Sequence, residues 1–143
     1  YILGQGATTL WESFEEYERK EGELQRKDGV KRIPSFNHHF WGDISGWFIQ
    51  RLAGIRFNPH RDNWQEADIA PAFIPQLTHA EGFHIAPAGR ISSAWKRKGD
   101  AIVLAVEVPG SMTGQIRLED GWLFDDGLAV RPLSSGSFRL HKG

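Results

Sequence analysis

The feature that most constrains what this chain can fold into is a change in hydrophobic period partway along it. Before about Asn58 the large apolar residues recur at steps of three and four, and after it they recur at every second position. Phe40, Ile44, Trp47, Phe48 and Leu52 line one face of a helix predicted over about Asn37 to Ala53, with Gly54 as its C-terminal stop. Leu10, Phe14 and Tyr17 predict a shorter amphipathic helix upstream. The charged, Gly-punctuated KEGELQRKDGVKRIP between them reads as a surface loop. Gly42 and Gly46 sit inside the longer helix, where glycine costs roughly 1 kcal/mol against alanine, so close approach by another element is expected there.

Beyond the polar connection NPHRDNWQEAD, the runs GRISSAWKR and AIVLAVEVP are joined by Lys98-Gly99-Asp100. In the second run Ile102, Leu104, Val106 and Val108 alternate with Ala101, Val103, Ala105 and Glu107, which predicts a hairpin with one face turned to a core. The runs FIPQLTHAEGF, QIRLE, LAVRP and SFRLH are short and strand-like, separated by Gly, Pro, Ser or Asp. Several strands at such spacing point to an antiparallel β-sandwich. The expected class is α+β, with helices at 1–57 followed by a sandwich at 58–143.

Composition narrows the functional classes. The chain has 143 residues, 40% of them hydrophobic, with six Trp and nine Phe, enough to bury a core that a disordered segment could not. A formal charge of -1 gives no general attraction to nucleic acid or to an anionic membrane. The longest basic cluster, Lys96-Arg97-Lys98, sits beside Gly99-Asp100 and reads as a solvated hairpin turn. With no cysteine, disulfide scaffolds, thiolate zinc sites and thiol nucleophiles are excluded. No apolar run approaches the ~20 residues needed to span a bilayer. The opening Tyr1-Ile2-Leu3-Gly4 has neither an initiator Met nor a signal peptide, so a piece of a longer protein is expected.

Two short stretches carry candidate chemistry. Thr9-Leu10-Trp11-Glu12 fits a capping box, in which Thr9 caps the helix start and Glu12 reaches back to the Thr9 amide. The same Glu12 follows a Gly-rich approach and lies between Trp11 and Phe14, where a carboxylate can be desolvated and its pKa raised. Aromatic rings beside a carboxylate also suit sugars, whose C–H faces stack on rings while their hydroxyls seek charged acceptors. His38 and His39 are adjacent, point about 100° apart on a helix and cannot chelate a metal from one face. His60, His79, His84 and His141 are scattered, with no carboxylate at a ligand spacing. Glu119-Asp120-Gly121 and Asp125-Asp126-Gly127 lack the EF-hand ligand series and read as turns.

Taken in order, GATTLWESF, SFNHHFWGDISGWF, RLAGI and HAEGFHIAPAGRISSAWKR resemble the C-terminal end of the bacterial α-L-rhamnosidases of glycoside hydrolase family 78. The A-T-T-x-W-E run, the S-x-N-H element and the G-R-I-x-S-x-W strand are the most specific parts. The resemblance implies that residues 1–57 are the last helical part of an (α/α)6 catalytic barrel and that 58–143 are a terminal β-sandwich. It places the general base on Glu12 and a substrate-contacting histidine on His38, directly after Asn37, with Trp11 helping to shape the pocket. Relatives often carry an aromatic where this chain has His39.

The reaction so implied is hydrolysis of terminal α-linked L-rhamnose from glycosides or polysaccharides with inversion. Inversion needs a carboxylic acid on the leaving oxygen and a second carboxylate activating water, about 6.5–9.5 Å apart. The general acid is implied to lie upstream of these residues, which leaves the fragment inactive alone. No cofactor and no metal is implied, and the expected partner is a rhamnose-containing glycoside or polysaccharide, with no nucleic acid and no membrane. Self-association through Phe40, Trp41, Trp47 and Phe48 is expected of helices cut from a barrel. The alternative is a non-catalytic carbohydrate-binding or structural sandwich. Exposure of Trp64 and Trp122 on one flat face favours binding, and their burial against the helical part favours a structural interface.

Overall fold

The computed structural model describes residues 4, 9, 11, 15–21, 23–29, 35–39, 43–57 and 63–143. They form two compact units, 1–45 and 46–143.

In the first unit Tyr17–Lys20 (β1) pairs antiparallel with Glu23–Arg26 (β2), Lys20 opposite Glu23. Glu21 supplies the left-handed turn residue, with φ 53°. This hairpin corrects two expectations: Tyr17 opens a strand rather than closing an amphipathic helix, and within the charged stretch expected as loop Glu23–Arg26 are paired, while Gly22 and residues 30–34 lie outside the described residues. Its stem is held at Lys27, whose amide donates to the Glu16 carbonyl at 3.0 Å and whose ammonium meets the Glu16 carboxylate at 2.9 Å. That contact, a hydrogen bond first and charge attraction second, holds the Glu16 carboxyl below its ordinary value. Leu10 and Phe14 lie outside the described residues.

The predicted long helix is realised as a short α-helix, Asp43–Trp47 (α1), that widens into a π-helical turn, Phe48–Leu52. Asn37 is in a bend and His38 is not helical, so the start lies later than the sequence placed it. Gly54 ends the segment as expected: its φ is +80°, and a Cβ there would sit 2.2 Å from the Pro71 nitrogen. Gly46 does not serve close approach, because a Cβ built on it meets nothing within 4 Å. Ile44, Trp47 and Phe48 are 52%, 48% and 47% exposed. Of the apolar face read from the sequence these three side chains are exposed, Leu52 is half-buried, and Phe40 lies outside the described residues.

The second unit is an all-β sandwich. Ile55–Arg56 (β3), Asp68–Ile69 (β4), Gln115–Arg117 (β8) and Val130–Pro132 (β10) form one sheet in the order β10-β8-β4-β3. His79–Ala86 (β5), Gly89–Lys98 (β6), Ala101–Glu107 (β7), Trp122–Phe124 (β9) and Gly136–Lys142 (β11) form the other, in the order β5-β6-β7-β11-β9. All pairs are antiparallel except β4 with β8. Ile55, Ile69 and Ile116 from the first sheet share one core with Ile91, Trp95 and Leu104 from the second. Each fully buried Ile or Leu contributes roughly 1.5–3 kcal/mol, so this shared layer dominates the stability.

The β6–β7 hairpin is the element the sequence shows best, and Ile102, Leu104 and Val106 are all buried as their alternation requires. Its turn is Gly99-Asp100 alone, with Gly99 at φ +61°. Lys96-Arg97-Lys98 is therefore strand, not turn, and Arg97 belongs to the core side. Its Nε donates to the Leu77 carbonyl at 3.0 Å and its Nη2 to the Phe73 and Ile74 carbonyls at 2.8 and 3.3 Å. The planar fork satisfies a loop that has no ladder of its own. That loop is the first half of FIPQLTHAEGF, whose strand begins only at His79.

Candidate functional site

Trp11 is buried, with edge-to-face contacts to Tyr17 at 5.6 Å and to Phe36 at 5.0 Å, and Tyr17 and Phe36 close the triangle at 5.7 Å. Aromatic pairs at such separations and angles contribute about 0.5–1.5 kcal/mol each beyond their burial. The Thr9 hydroxyl donates to the Phe36 carbonyl. These contacts bring the two stretches singled out in the sequence together, the one ending in Trp11-Glu12 and the one that continues from Phe36 into Asn37-His38. Glu12 itself lies outside the described residues.

Around this cluster the polar groups are paired. The Tyr17 hydroxyl donates to Glu15 Oε2 at 3.3 Å, and the other Glu15 oxygen meets Arg26 at 3.3 Å. Arg26 also forks onto Asp28, which raises its pKa and keeps it cationic. His38 is half-buried and His39 exposed, their rings stacked at 5.8 Å and 28°. Trp11 thus has a packing role in this unit, and the His38 ring has one face against His39. Among the described residues no three His, Asp or Glu side chains converge as a metal site would need, and no helix is long and apolar enough to cross a membrane.

The two tryptophans meant to separate binding from structure part company. Trp122 is buried in the sandwich's own core, edge-to-face with Phe73 at 5.6 Å, and Trp64 is 65% exposed. They do not make one flat aromatic face. The acidic, glycine-ended runs are turns, as expected: Asp120 and Gly121 have φ of 56° and 73°, and Gly127 of 80°.

Sequence reasoning missed the outer face of the five-stranded sheet. Alternation along β6 puts Ile91, Ser93, Trp95 and Arg97 inward, and Arg90, Ser92, Ala94, Lys96 and Lys98 outward. A depression of about 370 Å³ lies there, lined in part by His79, Ala94, Lys96, Lys98, Val103 and Ala105. The signal was available in GRISSAWKR, whose strand period continues through Lys98 once Lys96-Arg97-Lys98 is not taken for a turn.

Residues 46–143 thus define an all-β sandwich domain, preceded by a small unit whose aromatic cluster joins two sequence motifs. Residues 54–122 match the model of the bacterial alpha-L-rhamnosidase C-terminal domain. The chain is 33% identical over 118 residues to an alpha-L-rhamnosidase of Formosa agariphila and 30% identical over 115 residues to one of Alteromonas sp. (strain LOR). These alignments take in 82% and 80% of the chain and, in each case, 12% of the relative's length. The crystal structure of the Streptomyces avermitilis alpha-L-rhamnosidase complexed with L-rhamnose superposes with a TM-score of 0.66 at 26% identity, covering 98% of this chain and 14% of that one. The alpha-L-rhamnosidase from Dictyoglumus thermophilum gives 0.72 at 20% identity, covering 98% and 16%, and so shares the fold. The chain belongs to the bacterial α-L-rhamnosidases, in the C-terminal region of that family.

Proposed function

We propose that the chain is the C-terminal part of an inverting α-L-rhamnosidase that removes terminal α-linked L-rhamnose from glycosides or polysaccharides. What supports the reading most is the 33% identity to the Formosa agariphila enzyme over 82% of the chain. In this reading residues 1–57 close a helical catalytic barrel and 58–143 form its terminal sandwich. Glu12 takes the proton from the attacking water, His38 holds sugar hydroxyls, and Trp11 walls the pocket. The proton for the leaving oxygen comes from a carboxylic acid elsewhere in the enzyme, so the fragment alone is inactive. The joining of Trp11 to Phe36 supports the grouping, since Glu12 and His38 follow closely on those two residues in the sequence.

The test is Glu12→Gln in the full-length enzyme, which keeps size and most hydrogen bonding while removing the base. Hydrolysis of a chromogenic rhamnoside is expected to fall by the ~10²–10⁴-fold of general acid–base catalysis, or more. Near-normal turnover would return Glu12 to a capping role. The outward apolar side chains of Ile44, Trp47 and Phe48 are covered by other helices in the full-length enzyme, and the isolated chain self-associates through them. Sedimentation of the isolated chain as a monomer at all concentrations would contradict that.

A further inference from the structure

We infer that the outer face of the five-stranded sheet is a binding surface for an anionic polysaccharide, with Lys96, Lys98 and Arg139 meeting its acidic groups. The inference extends the proposed function from cleavage to capture, and so rests on the polysaccharide-acting reading of the enzyme. The register sets out a cross-strand row, His79 opposite Lys96, Lys96 opposite Val103, and Val103 opposite Arg139. Four strands at about 4.8 Å make the row about 14 Å long. Among the described residues none of Lys96, Lys98 and Arg139 has an ion-pair partner within 4 Å. Lys96 and Lys98, two positions apart on one face of β6, repel each other, and Arg139 adds to this more weakly from two strands away. A counter-charge from outside relieves that repulsion.

The row beside it runs Glu81, Ala94, Ala105 and Ser137 in register. A solvated antiparallel face normally carries long polar side chains there. Instead the small side chains of Ala94 and Ala105, with Val103, line the 370 Å³ depression together with Lys96 and Lys98. Glu81 is the one acid lining it and makes no ion pair with either lysine. Farther along β5 on the same face, Phe83 is 53% exposed and carries the Arg90 guanidinium 4.5 Å from its ring centre. Apolar lining side chains, a solvated ring and separated point charges suit a chain of pyranose rings bearing acidic groups. A duplex nucleic acid, with one charge per ~1.7 Å, calls for a denser basic surface than a chain of net charge -1 presents.

The experiment uses the full-length enzyme and its Lys96→Ala/Lys98→Ala/Arg139→Ala variant in affinity electrophoresis through gels containing polygalacturonate, dextran sulfate, neutral dextran or a DNA duplex. The wild-type enzyme is expected to be retarded by at least one acidic polysaccharide and not by dextran. The two acidic gels tell carboxylate from sulfate recognition. The triple variant should bind roughly tenfold more weakly, the sum of three exposed charge pairs, and added salt should weaken the wild type in parallel. Turnover of a small chromogenic rhamnoside and the unfolding temperature should be unchanged, so a failed binding surface is distinguishable from a failed rhamnosidase reading. No retardation by either acidic polysaccharide, undiminished retardation of the variant, or equal retardation by DNA would overturn the inference.

Discussion

The indole Nε1 of Trp95, in the middle of β6, donates to the carbonyl of Leu52 at 2.8 Å, where the π-helical turn ends. One buried side chain thus fills the sandwich core, with 1% of its surface exposed, and satisfies a backbone oxygen that the end of the turn leaves open. Trp95→Phe keeps an aromatic against Phe73, now 5.4 Å away at 90°, but removes the donor. A loss of at least the ~1–3 kcal/mol assigned to an orphaned buried acceptor is expected in urea unfolding of the chain. An unchanged midpoint would mean that water replaces the indole.

The opposite sign is expected two residues away. Ser93 is fully buried, and its hydroxyl has no hydrogen-bond partner among the described residues. Ser93→Ala removes an unsatisfied group at nearly constant shape and should stabilise the chain by about 1 kcal/mol, read as a higher unfolding midpoint at unchanged m. A destabilised Ser93→Ala chain would show that the hydroxyl is hydrogen-bonded after all.

Trp95 and Ser93 also show how much of the fold could be read from the sequence. Where one sheet face is core and the other solvent, as in β6 and β7, alternation carries the information, and the hairpin from Gly89 to Glu107 is legible to within a residue or two. The β1–β2 hairpin is not, because YERK and ELQR are mostly charged and carry no apolar period. Trp122–Phe124 was missed because three residues between two acidic turns are too few to show a period. Arg97 was misplaced for a different reason: a cation pointing inward breaks the polar-out rule, and only its three carbonyl acceptors make that tolerable. Of the candidate site, Trp11 and Phe36 are legible only as members of separate motifs; 25 residues of separation hide their contact. The cationic row was hidden altogether, since it depends on register across four strands.

Two glycines with positive φ should respond differently to substitution. At Gly54 a Cβ would fall 2.2 Å from the Pro71 nitrogen and 2.4 Å from the Ala70 carbonyl carbon, both backbone. Gly54→Ala should therefore cost more than the ~1–2 kcal/mol of a left-handed residue alone. At Gly99, φ is +61° and a Cβ meets nothing within 4 Å, so Gly99→Ala should cost only the ~1–2 kcal/mol of a left-handed residue. Thermal unfolding of the pair is the measurement. Similar losses for both would remove close backbone packing as the reason for Gly54.

Asp126 supplies a pH dependence of known sign. Its carboxylate accepts from the Leu128 amide at 3.1 Å and from Arg131 at 2.6 Å, and these, the backbone bond foremost, hold its pKa below the ordinary value. A depressed carboxyl stabilises the fold above its unfolded pKa, about 3.9, and that contribution is lost as pH falls through the lower folded value. Asp126→Asn should flatten the acid limb of the stability curve below about pH 4 and leave its slope near neutrality unchanged. Parallel acid limbs for the two proteins would show that Asp126 is not linked to folding.

The last expectation separates the two stacked histidines. The proposed sugar contact is His38, half-buried and next to Asn37, and its neighbour His39 is exposed. Since the rings stack on each other at 5.8 Å, removing either one abolishes the same stack, and a difference between the two variants cannot arise from it. In the full-length enzyme His38→Ala should raise KM for a chromogenic rhamnoside, with a smaller fall in kcat to the extent that its hydrogen bonds tighten in the transition state. His39→Ala should leave both constants near the wild-type values, as an exposed residue outside the pocket would. If His39→Ala carries the larger loss in kcat/KM, the sugar contact passes to His39.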